Sequence, residues 1–179
     1  MTPHRELGPT TPGVTVTVAR NDDADREAIA AIDQACFGQA TVNLGAELER
    51  PWAHVWVARP GGDGTTPAAL LLAWSVADEL HILSIATMPQ NRRTGLARAL
   101  LAHAVDFARR QRAQRVQLEV RRSNRAAIRL YRAFGFSATG IREQYYADNL
   151  EDAIEMALFL DPTTGQIIEG RDDVRVDDE

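Results

Sequence analysis

The feature that most restricts the fold is a strand of period two followed directly by a helix. Apolar and polar side chains alternate between Arg115 and Arg121, which predicts a strand buried on one face. A helical pattern follows from Asn124 to Phe134 and ends at Gly135, because glycine commonly terminates helices. A strand that leads into a helix within three residues predicts a fold with both element types packed in layers.

The rest of the chain continues this alternation of patterns. We predict strands at residues 14–20, 55–59, 68–76, 80–87, 115–121, 137–145 and 153–160. We predict helices at residues 22–36, 44–50, 95–111 and 124–134, and a turn or loop at residues 61–64. The order predicts a single α/β (α+β) domain with a mixed central sheet of about seven strands flanked by about four helices.

Charge separates the two ends of the chain from this domain. Residues 161–179 hold seven acidic residues and two arginines, which accounts for the whole net charge of −5. We predict a flexible segment at residues 1–13, the domain at residues 14–160 and an acidic, disordered tail at residues 161–179. The near-neutral domain predicts no direct nucleic-acid partner.

Composition excludes several chemistries. All 20 basic residues are arginines, so Schiff-base lysines and the phosphate-binding lysine of a P-loop are ruled out. The four histidines have no ligand spacing, and we predict no metal site. The single cysteine, Cys36, is predicted to be a buried structural thiol. With no long apolar run and no signal peptide, the predicted location is the cytoplasm, away from the membrane.

The polar segment between Met88 and Ala97 is a candidate anion site. A strand ends at Pro89, and a helix begins near Gly95. Amides at a helix start lack intrahelical acceptors and favour an anion, and Arg92 and Arg93 add positive charge. An ordinary strand-to-helix turn with two surface arginines fits the spacing equally well.

Three polar residues of the next strand and helix are candidates for chemistry. Glu119 lies mid-strand between apolar residues, where a carboxylate needs water, a partner or a cleft. Asn124 and Tyr131 are seven residues apart, so they share one stripe of the helix about 10 Å apart. The core-facing stripe is predicted to be the opposite one, Ala127, Leu130 and Phe134. The alternative for Tyr131 is an aromatic side chain at the edge of the core with its hydroxyl in water.

Two motifs bear a family resemblance. Arg92-x-x-Gly95-x-Ala97 resembles the R/Q-x-x-G-x-G/A signature of the GCN5-related N-acetyltransferase (GNAT) superfamily. The run from Leu118 to Phe136 resembles the L-E-V-R-x-S-N-x-x-A-x-x-L-Y-x-x-x-G-F signature of its RimI-type ribosomal-protein alanine N-acetyltransferases, and residues 141–158 resemble their R-x-x-Y-Y…E-D-A-x-x-M segment. The resemblance covers residues 14–160 and is strong from Ile82 onward.

The resemblance implies acetyl-CoA as cosubstrate, no metal, and a role for each matching residue. Glu119 would be the general base and Tyr131 the general acid that protonates the departing thiolate. Arg132 is a candidate for the 3′-phosphate. The implied residues that bind the cofactor are Ile85, Ala86, Thr87, Arg92, Arg93, Thr94, Gly95, Leu96, Ala97, Asn124 and Tyr131.

The implied acceptor is the N-terminal α-amine, with alanine first, of a ribosomal protein, bound by a monomer or weak dimer. Tyr145 and Tyr146 match the pair at the peptide entrance, and Glu143 would suit a basic peptide. Ala147 stands where the family often has proline, which puts the peptide preference in question. A small-molecule amine, a lysine side chain and a non-catalytic CoA-binding module remain as alternatives.

Overall fold

A computed structural model of the protein describes residues 12–39, 41–61 and 66–176, which form four α-helices and eight strands. The helices are α1 (Asp23–Phe37), α2 (Leu44–Leu48), α3 (Leu96–Arg110) and α4 (Arg125–Phe134). The strands are β1 (Val14–Val18), β2 (Ala53–Pro60), β3 (Ala69–Val76), β4 (Glu79–Thr87), β5 (Arg115–Arg121), β6 (Ser137–Tyr146), β7 (Glu151–Leu160) and β8 (Ile167–Ile168). A short 3-10 helix, Pro89–Asn91, precedes α3.

The chain divides into two compact units. The N-terminal unit contains the described residues up to Val76 together with residues 82–106. The C-terminal unit contains residues 77–81 and the described residues from Phe107 onward. Strand β4 therefore supplies residues to both units.

The N-terminal unit is built on strands hydrogen-bonded in the order β1-β2-β3-β4. Strand β2 is antiparallel to both β1 and β3, with Val57 opposite Leu70 in the β2–β3 pair. Helix α1 starts at its N-cap Asp22 and buries Ile29 and Ile32 in the same apolar cluster as Val57 and Leu70. This burial fixes α1 on the strands, because each large aliphatic side chain removed from water contributes roughly 1.5–3 kcal/mol.

The C-terminal unit contains strands of both orientations. Contacts of Glu79 with Arg115 and of His81 with Gln117 share one offset of 36 residues, so β4 and β5 run parallel. Strand β7 is antiparallel to both β5 and β6. The predicted mixed sheet of about seven strands with about four helices is confirmed; the additional strand is the two-residue β8.

Helix α4 packs with a different face from the predicted one. Its buried residues are Ile128, Tyr131 and Phe134, whereas Ala127 and Leu130 are half-buried. Asn124 lies outside the helix as its N-cap, so counting helical turns from Asn124 to Tyr131 does not place the two on one exposed stripe. The prediction of Ala127 and Leu130 as the core-facing stripe opposite Tyr131 was therefore wrong.

Residues 161–176 form part of the C-terminal unit and have ordered contacts there, in contrast to the disordered tail that their acidic composition predicts. Strand β8 pairs with the end of β7, where Ile167 is opposite Leu160. The Ala138 amide donates to Asp172 at 2.8 Å, and Asp172 also forms an ion pair of 2.9 Å with Arg132. Asp172 thus has two specific partners, which composition does not reveal.

Substitution of Asp172 by Ala is expected to lower the free energy of unfolding by about 1 kcal/mol, because a partly exposed carboxylate loses an amide and a guanidinium partner. Hydrogen exchange of the Ala138 amide should accelerate. Asp173→Ala is the matched control, since Asp173 contacts Ala138 through its backbone amide. Equal exchange rates in the two variants would contradict the assigned contact.

Parts of three sequence predictions lie outside the described residues: 1–11 of the N-terminal segment, 62–64 of the predicted loop and 177–179 of the tail. Gly13 ends the N-terminal segment and Gly61 begins the loop, and the Gly61 amide donates a hydrogen bond to the Gly13 carbonyl at 2.7 Å. No helix among the described residues has the length and apolar character needed to cross a membrane.

Candidate active site

The predicted anion-binding segment forms the start of α3 in the N-terminal unit. The Gly95 carbonyl accepts the first helical hydrogen bond, from the Ala99 amide at 2.9 Å, so the helix begins immediately after Gly95. Leu96 is buried and anchors this first turn. Because the first amides of an α-helix have no acceptor within the helix, the exposed side of this turn can bind an anion.

The backbone before α3 turns sharply. Gly95 has φ of +89° and Arg93 has φ of +64°, both in the left-handed region. Thr94 closes the turn through its hydroxyl, which donates to the Asn91 carbonyl at 2.6 Å. Arg92, Arg93 and Thr94 are exposed, so two guanidinium groups and the helix start lie on the same short exposed segment.

Strand β4 leads into this turn and carries two buried hydroxyl groups. Ala86 is buried, and Ile85 and Thr87 are half-buried. Within the part of the chain that the structure describes, Ser84 Oγ and Thr87 Oγ1 are buried without a hydrogen-bond partner. A buried hydroxyl without a partner is destabilising, which fits a strand that a polar ligand would complete. Cys36 of α1 packs beside β4, and its half-buried thiol donates a hydrogen bond to the Thr87 carbonyl at 3.3 Å.

In the C-terminal unit, Glu119 lies on the polar face of β5. Its neighbours Leu118 and Val120 are buried, whereas the Glu119 side chain is 29% exposed. Arg142 of β6 forms an ion pair with it, with Nη1 at 3.2 Å from Glu119 Oε1. The carboxylate is thus held at one oxygen on an accessible surface, a suitable position for proton transfer.

Tyr131 is buried on α4, where its ring packs against Phe136 at 5.8 Å between centroids. Burial, with a smaller contribution from nearby Tyr146, raises the pKa of the Tyr131 phenol well above its usual 10. A phenol with this raised pKa stays protonated at neutral pH, so Tyr131 can donate a proton or a hydrogen bond there.

Asn124 and Arg132 have contacts within the protein. The Asn124 side chain caps α4 and accepts a hydrogen bond from the Ala127 amide at 3.2 Å. The Arg132 guanidinium donates a hydrogen bond to Asp172 of the C-terminal segment. Asn124 remains exposed at the helix start.

The predicted peptide-entrance residues follow one another at the end of β6. Tyr145 and Tyr146 meet edge to face at 5.2 Å, and Tyr145 and Glu143 are exposed. The Arg121 guanidinium lies 3.8 Å from the centroid of the Tyr146 ring. Burial, the largest effect, raises the pKa of Tyr146 to about 12.

The predicted residues therefore fall into two groups. The cofactor residues from Ile85 to Ala97 lie in the N-terminal unit, and the acid, base and peptide residues lie in the C-terminal unit. Three further residues were not predicted as site residues: Ser84, Arg142 and Glu155. Arg142 belongs to the quoted R-x-x-Y-Y motif, but the motif gave no sign of its contact with Glu119.

The chain belongs to the acetyltransferase (GNAT) family, whose family model matches residues 20–136, more than half of the chain. It is therefore an N-acetyltransferase. This agrees with the resemblance noted at Arg92–Ala97 and Leu118–Phe136.

The chain is similar to bacterial enzymes that acetylate a ribosomal protein. It is 45% identical over 93 residues to the Escherichia coli (strain K12) ribosomal protein bS18-alanine N-acetyltransferase, a match that covers 51% of this chain and 63% of the relative. It is 40% identical over 109 residues to a Bacillus subtilis (strain 168) protein provisionally given the same name, covering 61% of this chain and 70% of the relative.

A solved structure extends the similarity across the fold. The crystal structure of the ribosomal-protein-S18-alanine N-acetyltransferase from Escherichia coli matches with a TM-score of 0.70 and 30% sequence identity. The match covers 90% of this chain and 98% of the solved chain. The resemblance to RimI-type enzymes is thereby confirmed.

Proposed function

We propose that the protein transfers the acetyl group of acetyl-CoA to the N-terminal α-amine of a ribosomal protein that begins with alanine. The observation that carries this proposal is the similarity to enzymes named for that reaction, at 40% and 45% identity. A ribosomal substrate makes this a cytoplasmic enzyme, and we expect a monomer or weak dimer.

The residues of the N-terminal unit fit the cosubstrate. The exposed start of α3, with Arg92 and Arg93 beside it, would bind the diphosphate of acetyl-CoA. The unpartnered hydroxyls of Ser84 and Thr87 support binding of the amide-containing pantetheine arm along β4. Acetyl-CoA supplies an activated thioester, and the protein needs only to orient it and move protons.

Proton transfer is assigned to the C-terminal unit. A free α-amine has a pKa of about 7.7–8, so much of it is protonated near neutral pH and must lose a proton before attack. Glu119 accepts that proton, through water or directly. Tyr131, kept protonated by burial, donates to the departing thiolate sulfur. Asn124 assists in holding the cosubstrate, and Glu143, Tyr145 and Tyr146 contact the acceptor peptide.

The acceptor is tested with two matched peptides and purified enzyme. One peptide begins with a free alanine and has no lysine; the other differs only in that its N-terminus is blocked and one residue is replaced by lysine. We expect mass spectrometry to detect acetylation of the first peptide alone. Acetylation of the lysine peptide would identify a side-chain amine as the acceptor, and reaction only with small amines would identify a small-molecule enzyme. Binding of acetyl-CoA without transfer to any amine would indicate that the protein is a non-catalytic CoA-binding module.

Substitution of Tyr131 by Phe is expected to lower kcat by roughly 100-fold, the usual scale for a lost proton donor. The KM for acetyl-CoA should stay the same, because Phe keeps the ring that packs against Phe136. Steady-state kinetics with the alanine peptide measure both constants. Unchanged turnover would remove Tyr131 from the mechanism.

A further inference from the structure

A second carboxylate lies beside the proposed base. Glu119 of β5 and Glu155 of β7 are directly opposite each other in the antiparallel pairing. Opposite residues in such a pair point to the same face of the sheet, and like charges there repel each other. Unless something lies between them, this repulsion would drive the Glu119 carboxylate away from Glu155.

Arg142 of β6 occupies that position. Its Nε donates to Glu155 Oε1 at 2.6 Å, and its Nη1 lies 3.2 Å from Glu119 Oε1. The guanidinium also lies 5.4 Å from the centroid of the Tyr145 ring. One cation thus joins two carboxylates on two other strands, and its planar group restricts the orientation of both.

The backbone at Gly140 makes room for this arrangement. Gly140 is opposite Glu155 in the β6–β7 pairing, and a Cβ atom at residue 140 would clash with Glu155 Oε2. A side chain there would therefore make the Glu155 carboxylate shift, at little cost because the carboxylate ends a flexible side chain. Strand β6 is itself irregular at this point, with a register shift between Ala138 and Gly140.

We propose that Arg142 and Glu155 are positioning residues for Glu119: Glu155 orients the Arg142 guanidinium, which holds Oε1 of Glu119 so that Oε2 faces the acceptor amine. This inference rests on the proposed function of Glu119 as the base. Neither residue transfers a proton itself, and Glu155 acts only through Arg142.

The test is a double-mutant cycle on kcat with the alanine peptide. Arg142→Gln is expected to lower kcat by roughly 10-fold or more, because a misplaced base loses much of its contribution. Glu155→Gln should lower it several-fold in the wild-type background and have no effect in the Arg142→Gln background, since interacting residues are not additive. Arg142→Lys should restore part of the rate, and KM for acetyl-CoA should not change.

Gly140→Ala is an independent variant, because it displaces the Glu155 carboxylate without removing it. We expect it to lower kcat, at most to the level of Glu155→Gln. Glu169→Gln, an exposed carboxylate in the C-terminal segment, is the matched control and should leave kcat unchanged. Thermal unfolding should show small shifts in Tm for the Arg142 and Glu155 variants, because exposed ion pairs contribute little to stability.

The outcomes separate this inference from the function on which it rests. If wild-type protein acetylates no amine, or if Glu119→Gln retains full activity, the proposed function fails. If Glu119→Gln is inactive but Glu155→Gln lowers kcat equally in both backgrounds, Glu155 does not act through Arg142. An effect confined to the KM for the peptide, or unchanged kcat in Arg142→Gln and Gly140→Ala, would also overturn the positioning role.

Discussion

Substitution of Glu119 by Gln is expected to lower kcat by roughly 10²–10⁴-fold, the range that a general base contributes. Glutamine keeps the shape of the side chain and can still accept a hydrogen bond from Arg142, but it cannot take a proton. The loss should be greatest below the amine pKa of about 7.7–8, where the acceptor is mostly protonated, and smaller at higher pH. A pH series of kcat/KM with the alanine peptide measures it.

Glu79→Gln is a matched control for this variant. Glu79 is a partly buried carboxylate of the same unit, and it pairs with Arg115 and His81 on the parallel strands. Its removal should affect stability more than turnover. Equal losses of kcat in the two variants would indicate that the Glu119 substitution lowers kcat by perturbing the sheet and not by removing a base.

Substitution of Gly95 by Asp is expected to abolish detectable binding of acetyl-CoA. The carboxylate would stand at the start of α3, where we propose that the diphosphate binds, and its charge would repel the phosphates. The backbone at this position, with φ of +89°, also disfavours a side chain. Calorimetric titration with acetyl-CoA measures the affinity.

Gly95→Asn separates charge from shape. Asparagine has nearly the same size as aspartate and tolerates left-handed backbone angles better than most residues. We expect it to weaken binding, and Asp to weaken it by roughly 10-fold or more beyond Asn, because a pair of like charges at a few Å costs several kcal/mol near a protein surface. Equal affinities in the two variants would mean that no phosphate lies near residue 95.

Secondary structure was predictable here wherever its signal is local. Strand β5 has the predicted bounds Arg115–Arg121, and α4 ends at Phe134 as predicted, with Gly135 at φ of +97° after it. Side-chain alternation, N-caps and glycine stops act over a few residues, so neighbours in the chain determine them. The family motifs are local in the same sense, and they include Glu119, Tyr131 and the turn at Gly95.

Side-chain environments were less predictable, because they depend on contacts between distant segments. Tyr131 was predicted on a stripe away from the core, yet it is buried, since the packing of α4 and not its helical period selects the face. Residues 161–176 were predicted to be disordered from their charge, yet Asp172 pairs with Arg132 and the Ala138 amide. Composition measures the charges but not their partners.

By itself, the amino-acid sequence determined the kinds of element and their order, and it supplied the residues that we propose for acetyl transfer, because each follows from patterns within one short segment. Only the tertiary structure decided how the proposed base is held. The contact of Arg142 with Glu119 and Glu155 joins three strands, and it exists because their pairing register places two carboxylates side by side and Gly140 leaves space for one of them. Register depends on matching the hydrophobic faces of paired strands, so no single segment encodes it.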